Sequence, residues 1–168
     1  MGFTIAMTPR TTRDGLLQYT EEDGGSDEVS FRELSVTETE RLMARVADVH
    51  QLLDLYLPGR SEQGISPRIL DQLFISWLAD SSHDKAEAES IATVLGSTFA
   101  YYLQKRKPLS WVVAQINGDE PTLAVTSAAL GITLYPIWSV RKRISEGSAG
   151  FFEPIYAVVE EKLHKLQH

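Results

Sequence analysis

Residues 95–147, LGSTFAYYLQKRKPLSWVVAQINGDEPTLAVTSAALGITLYPIWSVRKRISEG, leave little freedom of topology. The segment opens with helical periodicity and stops at Pro108, which lacks the N–H that a helix interior needs. Three short β-type runs follow at 111–116, 123–126 and 132–135. Their links are shorter than the dozen or so residues of a parallel crossover, so the runs are expected to form an antiparallel meander. Asn117-Gly118 is a hairpin turn signal in a link that extends through Pro121, and Gly131 marks the second link. Pro136 then opens a helix on Ile137, Val140 and Ile144, and Gly147 supplies the left-handed cap that closes it.

Three more helices surround this unit, whose opening helix begins further back in the chain. A first is expected over 37–57, with Thr37 and Glu40 as a capping box and Leu42, Val46, Val49, Leu53 and Tyr56 as one buried stripe. Pro58-Gly59 ends it. Ser66-Pro67 starts a second helix, with Ile69, Leu70, Leu73, Phe74, Trp77 and Leu78 on its apolar side and a break at 80–83. The third, over 84–107, has Asp84 and Glu87 as candidate caps and an inner face of Ile91, Leu95, Phe99 and Tyr102. Its second stripe, Ala92, Gly96 and Ala100, predicts a close backbone neighbour, because an interior Gly costs a helix about 1 kcal/mol relative to Ala. The last helix begins near 152 and carries Ile155, Tyr156, Val159, Leu163 and Leu166 on one face. Residues 1–34 read as a hairpin or an arm. Leu17 with Tyr19 and Val29 with Phe31 alternate with polar residues on either side of EEDGGSD.

The expectation is an α+β domain over 35–168, with five helices, a small three-stranded antiparallel sheet, and an added hairpin if 1–34 forms one. Trp111, Val113, Leu123, Val125, Ile132 and Leu134 should give the sheet side of the core.

The order LGSTFAYYL, WVVAQINGDEPTLAV, ITLYPIWSVRKRISEG resembles the bacterial family of domains of unknown function numbered 3806. Gly96, Trp111, Val112, Pro136, Lys142, Arg143 and Ile144 carry the resemblance, within roughly 91–147. It implies a fold unit and a bacterial source, and no activity.

Composition excludes several kinds of chemistry. The chain has 168 residues and no Cys, so disulfides, thiolate metal sites and a cysteine nucleophile are ruled out. No charged n-region leads into a long apolar core, and Ala6 stands where a myristoylation signal wants Ser or Thr. No apolar run approaches a membrane span. The expected location is therefore the cytoplasm, with no membrane partner. No P-loop, dinucleotide fingerprint or G-x-S-x-G elbow occurs. His164 and His168 have the spacing of a helical metal pair, with Glu160 a turn earlier, but they fall where helices fray. His50 reads as a boundary residue and His83 as part of a cap. No catalytic, cofactor or metal residues are assigned.

Net charge is −7 and lies in one half. Residues 1–83 hold fourteen Asp/Glu against seven Arg and no Lys, whereas 84–168 hold nine of each sign. An acidic half disfavours nucleic acid and suits a basic partner. The opposing signal is two basic triplets, at 105–107 and 141–143, near Tyr102, Trp111 and Trp138. Trp138, Arg141, Lys142 and Arg143 are the candidate binding residues, since Arg with aromatics grips phosphate or single strands. The reading is a noncatalytic bacterial protein-binding domain, of which an immunity or inhibitor protein against a basic toxin is one version. The alternatives are an unrecognised hydrolase and a nucleic-acid or phosphate-ligand binder.

Overall fold

A computed structural model describes residues 3–11, 17–20, 27–82 and 85–168, with backbone alone for the residues up to Asp27. The chain is α+β. Its strands are β1 (Phe3–Thr11), β2 (Leu17–Thr20), β3 (Asp27–Arg32), β4 (Ser110–Ile116), β5 (Thr122–Ser127) and β6 (Ile132–Leu134). Its helices are α1 (Val36–Tyr56), α2 (Pro67–Ala79), α3 (Ala88–Arg106), α4 (Pro136–Glu146) and α5 (Phe152–Leu166).

The meander β4-β5-β6 forms as its short links require, with Trp111 opposite Val125 and Val125 opposite Leu134. It is half of a larger sheet, of order β2-β1-β3-β4-β5-β6, every pair antiparallel. The expected three strands are thus six. The expected hairpin across EEDGGSD is also corrected. β2 and β3 both exist, but β1 lies between them and pairs with each. The sequence offers two alternating runs on either side of a turn cluster, which says nothing about a third strand inserted between them.

Both faces of the sheet are buried over β4, β5 and β6. Trp111, Leu123, Val125, Ile132 and Leu134 meet the helices, as expected, while Val113, expected with them, is buried outside that cluster. Val29, Phe31, Val112, Ala114, Ile116 and Ala124 fill the opposite face, with Tyr135. That side is closed because β2, at one edge, comes back beside β6 at the other, so the sheet curls on itself and leaves less edge open. Burial on both sides explains why WVVAQI is almost continuously apolar.

Local chemistry sets the helix ends. Ser35, not Thr37, caps α1: its Oγ accepts from Glu38 N–H at 3.1 Å, and Glu38 Oε2 accepts from Ser35 N–H at 2.8 Å. SVTETE contains two overlapping capping boxes, and Arg32, at 2.7 Å from both Glu38 oxygens, selects the first. Ser66 caps α2 and Pro67 is its first residue, as expected. α3 starts later than expected, at Ala88, and its N-cap Glu87 makes no side-chain capping bond; Asp84 and His83 lie outside the described residues. α4 ends on Gly147 at φ 65°, the left-handed cap expected. α5 takes its cap from another helix. Buried Asp71 of α2 accepts from Phe151, Phe152 and Glu153 N–H, each at 2.9 Å. Burial pushes this carboxyl up, while the three donors pull it down.

Gly96 brings α3 against α4. A Cβ there would lie 2.7 Å from both the Cα and the N of Ile137. The small-residue stripe is therefore a close backbone contact, and it fixes where Trp138 and Arg141, one and four residues further on, are displayed.

Candidate functional site

A cleft of about 570 Å³ opens where α1, the start of α3, α4 and the β4–β5 link converge. Its apolar lining includes Leu42, Leu123 and Ile137, and Trp138 joins these. Charges ring them. Glu38, Arg41 and Arg45 come from α1, Glu89 from the first turn of α3, Asp119 and Glu120 from the link, and Arg141 from α4. Local structure explains each placement. Arg41 and Arg45 sit one helical turn apart and flank Leu42, so the stripe that packs α1 inward carries both to the cleft rim. Asn117 at φ 51° and Gly118 at φ 78° make the tight turn, closed by Asp119 N–H on Ile116 oxygen at 2.8 Å. That turn leaves Asp119 and Glu120 exposed just beyond it.

Some of these charges are already paired. Arg141 holds both oxygens of Glu89, through Nε at 3.0 Å and through Nη2. This pair, with Arg45 adding to the field, holds the Glu89 carboxyl below its usual range. The Arg141 guanidinium is shifted upward by its bonds to Glu89, against the cost of burial, and Glu120 adds to the shift. Arg45 therefore stands close enough to Glu89, and Glu120 to Arg141, for each to add to the field of that pair. Glu38 is already taken by Arg32. Arg41 and Arg45 make no ion pair or hydrogen bond among the described residues, and neither do Asp119 and Glu120 through their carboxylates.

Of the residues singled out from sequence, the structure brings Trp138 and Arg141 to the cleft. It does not bring Lys142 or Arg143. Lys142 lies 3.9 Å from Glu146, and the Arg143 guanidinium sits 5.6 Å from the Phe151 ring centre. The other triplet lies elsewhere, at the end of α3. There Lys105, Arg106 and Lys107 stand over Tyr101, Tyr102 and Tyr156 at 5.4, 3.9 and 4.8 Å. Sequence reading missed Arg41, Arg45, Glu89 and Glu120. The spacing of Arg41 and Arg45 around Leu42 was the available signal.

His50, His164 and His168 are exposed and none lines the cleft. The His164 and His168 rings lie 4.6 Å apart, and among the described residues no group of three or more His, Cys, Asp or Glu is placed to hold a metal. No described helix is long and apolar enough to cross a membrane. A second groove, of about 750 Å³, runs beside Ile75 and Tyr156, and its one buried carboxylate, Asp71, is committed to capping α5. Comparison with family models, with curated proteins and with solved structures finds no match.

Proposed function

We propose that this chain is a noncatalytic protein-recognition domain of a bacterial cytoplasm, a fold unit like the family numbered 3806, and that the cleft beside Trp138 is its recognition surface. The observation that carries this reading is the lining of the cleft: an apolar floor, a half-buried indole, and charges of both signs at the rim. Such a surface gives orientation and rejects wrong partners through charge complementarity. A hydrolase needs a nucleophile held by a base. Thr93 and Thr122 are the hydroxyls of this lining, and no histidine accompanies them.

An immunity or inhibitor role against a basic protein is the concrete version. It rests on the acidic first half of the chain, whose Glu40, Asp48 and Asp54 are exposed on α1. The test is a photoreactive benzoylphenylalanine placed in the cleft at Pro121, with Gln167, exposed beyond α5 and outside the cleft, as control. Crosslinks to a protein of the native host from the cleft position alone are expected. Equal yields from both positions, or none from the cleft, overturn the reading.

A further inference from the structure

Three tryptophans are present, and two have their indole N–H committed. Trp77 donates to Ala86 oxygen at 2.8 Å and Trp111 to Ala100 oxygen at 3.1 Å. The Trp138 indole N–H has no hydrogen bond among the described residues, and this ring, stacked on Tyr135 at 5.6 Å, lines the cleft. Trp138 is half-buried and its N–H is not among the buried groups left without a partner, so this donor is open to solvent or to a bound acceptor. The same cleft holds two guanidiniums and two carboxylates without ion-pair partners among the described residues, and they come from different elements. Arg41 and Arg45 come from α1; Asp119 and Glu120 come from the β4–β5 link.

We infer that the cleft takes a short mixed-charge segment of a protein, with its carboxylate on Arg41 and Arg45, an apolar side chain against Trp138, and its cation on Asp119 and Glu120. This rests on the reading of the cleft as a protein-recognition surface. A wholly acidic segment, or a free phosphate, would be drawn to the α1 wall and repelled by the link. A wholly basic one would meet the converse. Only a segment with both charges satisfies both sets, and arginine's fork is suited to holding a carboxylate through two hydrogen bonds. The volume of about 570 Å³ lies within the roughly 300–1,000 Å³ of sites that enclose a drug-sized ligand, which fits a few residues rather than a folded surface.

The test uses the full ¹⁵N-labelled chain and follows the Trp138 indole resonance, identified as the one lost in Trp138→Phe. Three acetylated, amidated peptides serve as probes: Glu-Leu-Lys, Glu-Leu-Glu and Lys-Leu-Lys. The expected result is a saturable shift with Glu-Leu-Lys at about tenfold lower Kd than with either like-charged peptide. Arg41→Glu with Arg45→Glu should reverse the order in favour of Lys-Leu-Lys. Should that pair of charge reversals unfold the chain, Arg41→Gln with Arg45→Gln should still abolish the preference for Glu-Leu-Lys. Equal binding of all three peptides, no saturable shift with any, or displacement of the mixed peptide by equimolar sodium phosphate overturns the inference. Protein crosslinks from the cleft without a response to Glu-Leu-Lys refute this inference and leave protein recognition standing. Saturable Glu-Leu-Lys binding without protein crosslinks overturns both, since the segment must belong to a protein.

Discussion

At the scale of single residues, Gly96 has the least room. A methyl group added there lands 2.7 Å from the backbone of Ile137, and backbone inside a helix cannot swing aside as a side-chain tip can. Gly96→Ala should therefore destabilise the chain by about 1–3 kcal/mol through overpacking, although Ala is the better helix former. Chemical denaturation measures it, and an unchanged midpoint would mean that α3 and α4 part easily. Asp71 is the converse case, a residue defined by what it supplies. Asp71→Ala leaves the Phe151, Phe152 and Glu153 N–H groups without their acceptor, two of these bonds being buried. A loss near the top of the roughly 1–3 kcal/mol range for buried unsatisfied groups is expected, with a smaller loss for Asp71→Asn, which keeps one acceptor oxygen. The two residues differ in how readable they were. A stripe of three small residues spaced by four, Ala92, Gly96 and Ala100, announces Gly96. Nothing in the spacing of Asp71 and Phe151, eighty residues apart, announces a shared cap.

At the scale of elements, periodicity and punctuation placed all five helices and the meander, because each is fixed by neighbours in the chain. The failures lie where two local solutions compete or where the partner is distant. The α1 start is the first kind: Ser35 with Glu38 and Thr37 with Glu40 are equivalent capping boxes until Arg32 of β3 grips Glu38. That grip makes the helix start depend on pH. The bonds from Arg32, with those from Ser35, hold the Glu38 carboxyl at about 2, well below its usual 4.5. A depressed carboxyl adds stability above its unfolded value and loses it as pH falls through the folded one. The wild type should therefore exceed Glu38→Gln in melting temperature at neutral pH, and the gap should close between pH 4.5 and about 2. Because the pair is largely in solvent, the gap should be small and should shrink in high salt. A gap that persists at pH 2 would place the stabilisation in something other than the Glu38 charge. The sheet order is the second kind of failure. β1 enters between β2 and β3 through non-local pairing, which turn signals do not encode.

At the scale of the whole molecule, the question is where the cations go. Sequence shows two triplets, which could together have formed one basic face. The fold separates them and engages each cation internally. Arg141 holds Glu89, Lys142 lies near Glu146 and Arg143 covers Phe151. Lys105, Arg106 and Lys107 cover three tyrosines, and Lys107 also reaches Glu160 at 3.0 Å. Those rings are the platforms on which bases of a single strand would stack, and each already has a cation over it. Counterion release from phosphates would have to exceed the loss of these contacts, in a chain whose net charge of −7 repels the polyanion. Single-stranded DNA or RNA of about 20 nucleotides should therefore show no micromolar binding by fluorescence anisotropy even at about 50 mM salt, where such contacts are strongest. Arg141→Glu with Arg143→Glu should change nothing in that assay. Micromolar binding by the parent chain, lost in Arg106→Glu and falling steeply with salt, would show that the cations leave their rings for phosphate and would replace protein recognition with nucleic-acid binding.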